Sequence, residues 1–177
     1  IRFRDANGDG ILDQEDKVKV GSPLPDFEYS LSFNAAYKGF DVALMFTGVY
    51  GNEIFNGVKY ITESMKEYRN YSANALNAWT PQNKNADVPR AVKDDPNGNS
   101  RVSDRFVEDG SYFRLKTLQV GYSLPASLLS KVKVDALRLY VGANNVFTIT
   151  NYSGYSPEIV GGNIYNRGID FGAYPLF

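Results

Sequence analysis

The segment FEYSLSFNAAY, residues 27–37, alternates apolar and polar side chains without a break. One set of alternate positions runs from Phe27 to Tyr37 and is apolar, whereas the other begins at Glu28 and is mostly polar. Such period-two alternation predicts a β-strand with one apolar and one polar face. Lys38-Gly39 then predicts a tight turn, and FDVALMFTGVY, residues 40–50, predicts a second strand that returns beside the first.

Two further segments alternate in the same way. Residues 111–124 predict a third strand, in which the apolar parity changes between Leu115 and Leu118. This change predicts a β-bulge near Lys116-Thr117, because one extra residue reverses the phase of the side chains. After a short connection over 125–135, residues 137–148 predict a fourth strand. The sequence therefore predicts an all-β chain with four long strands in two hairpins.

The ends of the first two strands carry aromatic residues on the apolar face. Phe27 and Tyr37 are ten residues apart, and so are Phe40 and Tyr50. Ten residues extend over about 33 Å, which a strand tilted by roughly 40° projects to about 25 Å. This is the height of the apolar band of an outer-membrane barrel, which aromatic girdles flank. A soluble β-sandwich also alternates, but such long strands are unusual in soluble sheets.

The connections differ strongly in length. Two are short, whereas residues 51–110 form a long connection and another polar loop follows Thr150. This asymmetry indicates a fragment of a large antiparallel transmembrane β-barrel of four to five strands, with long extracellular loops. Within the long loop, apolar residues at helical spacing predict a helix over 58–78, which either contacts a ligand or partner or packs against its own loop. The loop aromatics that could face a ligand or partner are Tyr60, Tyr68, Tyr71, Trp79, Tyr152 and Tyr155.

Composition excludes several classes of function. The chain has 177 residues with 19 basic and 20 acidic side chains, so it lacks the positive charge of a typical nucleic-acid-binding protein. It contains neither cysteine nor histidine, which excludes disulfides, thiol nucleophiles, Ser-His-Asp catalysis and imidazole metal ligands from these residues. Because no acid and base side chains converge in the sequence pattern, we expect no enzyme activity.

Residues 5–16 fit the template of a calcium-binding loop. Gly10 stands at the position of the sharp turn, and oxygen ligands recur at the required spacing. The predicted ligands of Ca²⁺ are Asp5, Asn7, Asp9, the carbonyl of Ile11, Asp13 and Asp16. The other interpretation is a cluster of turns in which these side chains accept hydrogen bonds from their own backbone.

The polar parities of the third and fourth strands carry side chains that could line a water-filled lumen. These are Arg114, Arg138, Tyr140 and Asn144. The simpler interpretation is that they only solvate the lumen.

Seven short motifs follow one another along the chain. They are DANGDG (5–10), GSPLPDF (21–27), WTPQN (79–83), DGSYFRLK (109–116), GYSLP (121–125), NNVFTITNYSGYSPE (144–158) and GIDFGAYP (168–175). In this order they resemble the SusC/RagA-type TonB-dependent transporters. The resemblance extends over essentially the whole chain, and it identifies residues 1–177 as similar to the C-terminal portion of such a transporter.

This resemblance implies a barrel of 22 strands with an N-terminal plug, in the outer membrane of a Gram-negative, Bacteroidetes-like bacterium. It implies import of oligosaccharides, other glycans or peptides, driven through TonB, with a SusD-like surface lipoprotein as a lid. The plug and the TonB-contacting segment would lie upstream, and one more strand would follow Tyr174-Pro175. The alternative function is a soluble, calcium-stabilised β-sandwich that binds carbohydrate.

Overall fold

The computed structural model describes residues 3–66, 70–159 and 166–172. Four long strands dominate it: β1 (Phe27–Tyr37), β2 (Phe40–Tyr50), β5 (Tyr112–Ser123) and β6 (Arg138–Thr150). The shorter elements are β3 (Glu53–Asn56), α1 (Gly57–Glu63), β4 (Val107–Asp109), α2 (Ala126–Leu129) and β7 (Ile169–Asp170). The predicted bounds of the long strands are thus confirmed to within two residues at each end.

The four long strands form one antiparallel sheet, here called the long sheet, in the order β1-β2-β5-β6. β2 pairs with β5 although 61 residues lie between Tyr50 and Tyr112 in the sequence. The two predicted hairpins are therefore joined into one meander. The turn between β1 and β2 has positive φ at both Lys38 and Gly39, and it places Tyr37 opposite Phe40. Such a turn matches the right-handed twist of the strands that it connects.

The predicted β-bulge is present. Between β2 and β5 the register shifts at Lys116, because Met45 pairs with Thr117 whereas Phe46 pairs with Leu115. β6 compensates with a second irregularity near Asn145, whose φ is positive. As a result, the apolar side chains stay on one face of all four strands and the polar ones on the other.

The apolar face of the long sheet is exposed. Leu31 in β1 exposes 62% of its surface and Val141 in β6 exposes 77%. Rings pair at both ends of the strands: Phe27 stacks on Tyr50 with centroids 5.3 Å apart, and Phe40 lies 4.5 Å from Tyr122. Nothing in the described residues covers this face, so the long sheet does not form half of a β-sandwich, which would require a second sheet packed against it.

The described residues of 51–110 and 151–172, here called the loop cap, hold a second sheet. In this small sheet β3 pairs antiparallel with β4 and parallel with β7. Ile54 and Phe106 are almost completely buried there, and Phe106 contacts the rings of Phe55 and Tyr60. The main core of the described residues therefore lies in the loop cap. Alternation did not predict this sheet, because its strands are only two to four residues long.

The predicted helix over 58–78 is wrong in its extent. Asn56 is the N-cap of α1, because its side chain accepts a hydrogen bond from the backbone N–H of Lys59, and the helix ends at Glu63. A separate 3₁₀ turn covers Ala73–Asn77, with Ser72 as its N-cap. In between, Met65 has positive φ, a conformation that an α-helix cannot contain. Among the described residues, no helix combines the length and the apolar character needed to cross a membrane.

Candidate functional site

A polar network joins three segments of the loop cap at Glu108. The Lys59 ammonium lies 2.8 Å from one carboxylate oxygen of Glu108, and the backbone N–H of Ser153 donates to the other at 2.9 Å. Asn56 donates to the hydroxyl of Ser153 at 3.1 Å. Burial opposes ionisation of Glu108, yet the hydrogen bonds from Lys59 and Ser153 hold its pKa below the usual range. The charged carboxylate therefore fastens α1 and the segment after β6 to β4.

A second buried contact holds β7 in place. The hydroxyl of Tyr152 donates to the carboxylate of Asp170 at 2.6 Å, and both residues are buried. Burial, together with the hydrogen bond to Asp170, raises the pKa of the Tyr152 hydroxyl. Gly57 packs closely against the backbone carbonyl of Asp170 and the ring of Phe171, so a Cβ at position 57 would collide with both. These contacts fix the residues around 168–172 against β3 and α1.

A third cluster forms the floor of a polar cleft. The buried carboxylate of Glu63 accepts hydrogen bonds from Ser72 and Asn74 at 2.9 Å and from the Arg105 guanidinium at 3.3 Å. Arg105 also donates to the backbone carbonyls of Glu63 and Asp87, both at 3.1 Å. The Arg105 guanidinium therefore links α1 to the segment around Asp87, and the Glu63 carboxylate links α1 to the 3₁₀ turn.

Above this floor lies a cleft of about 500 Å³, here called the asparagine cleft. Its rim carries four carboxamides and one acid: Asn74, Asn77, Asn83, Asn85 and Asp87. Asn83 donates to the carbonyl of Asn77 at 3.1 Å, which holds the rim together. No motif in the sequence predicts that these residues form a site. The asparagine-rich composition of 74–85 was the available signal, but it does not show which of them meet.

The predicted ligand-facing aromatics are placed in different environments. Tyr60 packs its ring on Phe55 and Phe106, and Tyr152 is buried as described above, so both rings serve the interior of the loop cap. Tyr71 and Tyr155 are exposed. Trp79 is half-buried and lines another cleft, of about 460 Å³, together with Phe3 and Arg90. Tyr68 lies outside the described residues.

The four side chains predicted to line a lumen share the polar face of the long sheet. Arg114 is buried, donates to the Thr148 hydroxyl at 2.8 Å and forms an ion pair with Glu158. Arg138 makes a two-pronged ion pair with Asp41 at 2.9 and 2.6 Å, which crosses β5 directly above Gly121. Any larger side chain at 121 would meet these charged groups. Two further members are Tyr140, which is exposed and lies under the Arg138 guanidinium, and Asn144, which pairs with Thr117 across the strands.

The calcium-type loop, residues 5–16, is exposed and internally hydrogen-bonded. The two carboxylate oxygens of Asp5 accept from the N–H groups of Gly8 and Gly10 at 2.6 and 2.8 Å. Other predicted ligands also accept from nearby backbone N–H groups: Asn7, Asp9, Asp13 and Asp16. The N–H groups of Asp13 and Ala6 hold the pKa of Asp16 below its usual value.

Within the described residues, no three acidic side chains converge in a way that would hold a metal ion. The turn-cluster interpretation accounts for every hydrogen bond given above. Calcium binding by residues 5–16 stays a prediction.

The chain is similar to known proteins over nearly its whole length. No protein-family model matches the chain. It is 39% identical to the TonB-dependent receptor P3 of Formosa agariphila over 98% of its own length, and 25% identical to the TonB-dependent receptor SusC of Bacteroides thetaiotaomicron over the same share. A solved structure of the RagAB peptide importer in its closed-closed state matches 94% of the chain with a TM-score of 0.73 and 26% identity.

The chain belongs to the SusC/RagA-type TonB-dependent receptors. It spans only 17% of the P3 receptor, 16% of SusC and 19% of the matched RagAB chain, so it corresponds to part of such a receptor. The predicted fold is confirmed: the long sheet is a fragment of an outer-membrane β-barrel.

Membership in this family explains both faces of the long sheet. The exposed apolar face, with rings at both strand ends, is the lipid-facing surface of the barrel wall, and the polar face with Arg114 and Arg138 is its inner surface. In the described part of the chain, β1 and β6 are the outer strands of the long sheet, and in a closed barrel each would pair with a neighbouring strand. The loop cap then lies at one rim of the wall, beyond Tyr50, Tyr112 and Thr150.

Proposed function

We propose that the intact receptor containing this chain imports a nutrient, either a glycan or a peptide, across the outer membrane. The observation that supports this most strongly is the likeness to the RagAB peptide importer over nearly the whole chain, together with the likeness to SusC. The chain itself contributes part of the barrel wall and a folded loop cap. It carries out no bond chemistry in this proposal.

TonB and a SusD-like surface lipoprotein are the proposed partners. An upstream segment of the receptor would contact TonB, and the lipoprotein would cover the loop cap from outside the cell. The loop cap suits such a role because its buried hydrogen bonds and ion pairs give it a fixed shape at the rim of the wall. A fixed surface loses less conformational entropy when a partner binds.

The test of import is growth of cells that lack the receptor gene. We expect the deletion strain to lose growth on one class of nutrient, peptides or oligosaccharides, as sole carbon source, and to regain it with the wild-type gene. Deletion of the gene for the SusD-like lipoprotein should weaken growth on the same nutrient. Unchanged growth of the receptor deletion strain on every peptide and oligosaccharide source would overturn the proposal.

Calcium binding is tested separately. If residues 5–16 bind Ca²⁺, the purified receptor should unfold at a higher temperature as Ca²⁺ is added, because an ion that binds only the folded state stabilises it. The change Asp5→Asn with Asp9→Asn should abolish this shift, whereas Asp94→Asn, in another exposed loop, should leave it intact. Equal shifts in both variants, or none in the wild type, would remove calcium from the description.

A further inference from the structure

The asparagine cleft is large enough for a small ligand and is formed by segments that the fold holds in place. Its volume of about 500 Å³ lies within the range of about 300–1,000 Å³ that ligand sites occupy. Its floor is the Glu63–Arg105 pair, which the Ser72 hydroxyl and the Asn74 carboxamide also bind. A floor that is already hydrogen-bonded does not have to rearrange when a ligand arrives.

The charged groups around the cleft are almost all neutralised by partners. Glu63 pairs with Arg105, and Lys59 pairs with Glu108 at 2.8 Å. Within the described part of the chain, Asp87 is the one charged group of the lining whose side chain makes no direct hydrogen bond or ion pair, although its carboxylate attracts the Arg105 guanidinium from a longer distance. The cleft therefore has no spare positive charge for an anionic ligand, and its one spare carboxylate would repel such a ligand.

The carboxamides of Asn77 and Asn85 have unused hydrogen-bonding capacity. Neither side chain makes a hydrogen bond to another described residue, and both are exposed at the rim. A carboxamide both donates and accepts hydrogen bonds, as does a ligand hydroxyl group. Ala86 and the buried Val88 are the only apolar residues among the described ones that line the cleft.

We propose that the asparagine cleft binds a neutral oligosaccharide, with the carboxamides of Asn77 and Asn85 and the carboxylate of Asp87 bound to its hydroxyl groups. A peptide fits these features less well, because the cleft offers neither an apolar pocket for side chains nor an unpaired cation for a terminal carboxylate. An acidic glycan would face the Asp87 carboxylate. This inference rests on the proposed import function and assigns the substrate class to one outer-loop site.

The experiment uses the intact receptor in detergent on an array that carries neutral oligosaccharides, acidic oligosaccharides and short peptides. We expect the wild-type receptor to bind neutral oligosaccharides. For the oligosaccharide that binds most strongly, the dissociation constant should be at least about tenfold higher in the Asn77→Ala, Asn85→Ala double variant, because this variant lacks two hydrogen-bonding groups. Asp87→Ala should weaken binding in the same direction. The matched control is Asn151→Ala, an exposed asparagine outside the cleft, which should bind as the wild type does.

Three results would overturn the inference: no neutral oligosaccharide bound, binding restricted to peptides or acidic glycans, or an unchanged dissociation constant in the double variant. The protease digestion pattern of each variant shows that its loop cap is still folded. These outcomes are separate from the growth test. If the deletion strain grows normally on every nutrient, the import function fails, whereas if growth depends on the receptor and the double variant binds normally, only the assignment of the cleft fails.

Discussion

The loop cap has a buried apolar core, whereas the long sheet leaves a whole face of apolar side chains exposed. Phe106 is fully buried among rings, but Val141 exposes 77% of its surface on the sheet. Polar groups also differ in exposure between the two regions. Asp170 in the loop cap is fully buried and accepts a hydrogen bond from Tyr152, whereas the ion pair of Arg138 on the polar face of the sheet is partly exposed to solvent.

The chain folds in two environments, with water around the loop cap and hydrocarbon against one face of the long sheet. The loop cap folds as a water-soluble protein does, with apolar groups inside. The barrel wall meets hydrocarbon on one face, so the same apolar side chains point outward there. Substitutions of apolar side chains should therefore have opposite consequences in the two regions.

Phe106→Ala should destabilise the loop cap by about 3–5 kcal/mol, because it leaves a cavity among the rings of Phe55 and Tyr60. Hydrogen exchange of the backbone amides of β3 and β4 measures this as faster exchange. The control is Val102→Ala, an exposed residue of the same loop, which should change little. Barrel assembly should persist, and its loss in Phe106→Ala would contradict the separation of the two regions.

Leu31→Arg should destabilise the wall by about 2–4 kcal/mol, since it places a charge on the lipid-facing side near the middle of β1. Urea unfolding of the receptor in lipid vesicles measures the free energy of unfolding. The matched control is Ser32→Arg, the adjacent residue on the opposite face, which should cost much less. Equal costs at 31 and 32 would refute the assignment of the faces.

Tyr152→Phe should destabilise the docking of β7 by about 1–3 kcal/mol, because the buried Asp170 carboxylate loses a donor. Since the pKa of Tyr152 is raised above the ordinary tyrosine value of 10.0, this stabilisation is present below pH 10 and is lost as the pH rises through the folded-state pKa. Amide exchange of residues 168–172 is the measurement. Tyr60→Phe, which keeps its ring contacts, is the control.

Arg138→Ala should have the smallest effect on the free energy of unfolding, because solvent screens its exposed ion pair with Asp41. A double-mutant cycle with Asp41→Ala, in the same vesicle assay, isolates the interaction. Arg138→Lys should lose part of it, since lysine cannot make the two parallel hydrogen bonds. A coupling energy near that of a buried pair would show that this part of the inner face is shielded from water.

Residues 27–50 are the part of the fold that alternation predicted best. The strand bounds, the Lys38-Gly39 turn and the bulge at Lys116 follow from short-range patterns, because side-chain direction in a strand depends only on parity and a turn depends on a few consecutive residues. The prediction of a helix over 58–78 was wrong because it also relied on a short-range pattern. The apolar residues have helical spacing, but α1 ends early, where Met65 has positive φ and where Ser72 and Arg105 donate hydrogen bonds to Glu63.

Local sequence is enough to predict the length of the strands, their two unlike faces and the rings at their ends, because side-chain direction along a strand alternates with a period of two. Long-range contacts, in contrast, produce the small sheet, the Tyr152–Asp170 hydrogen bond and the asparagine cleft. Arg105 and Glu63, for example, are 42 residues apart. Contacts at such separations depend on how loops fold back on each other, and no local period encodes that.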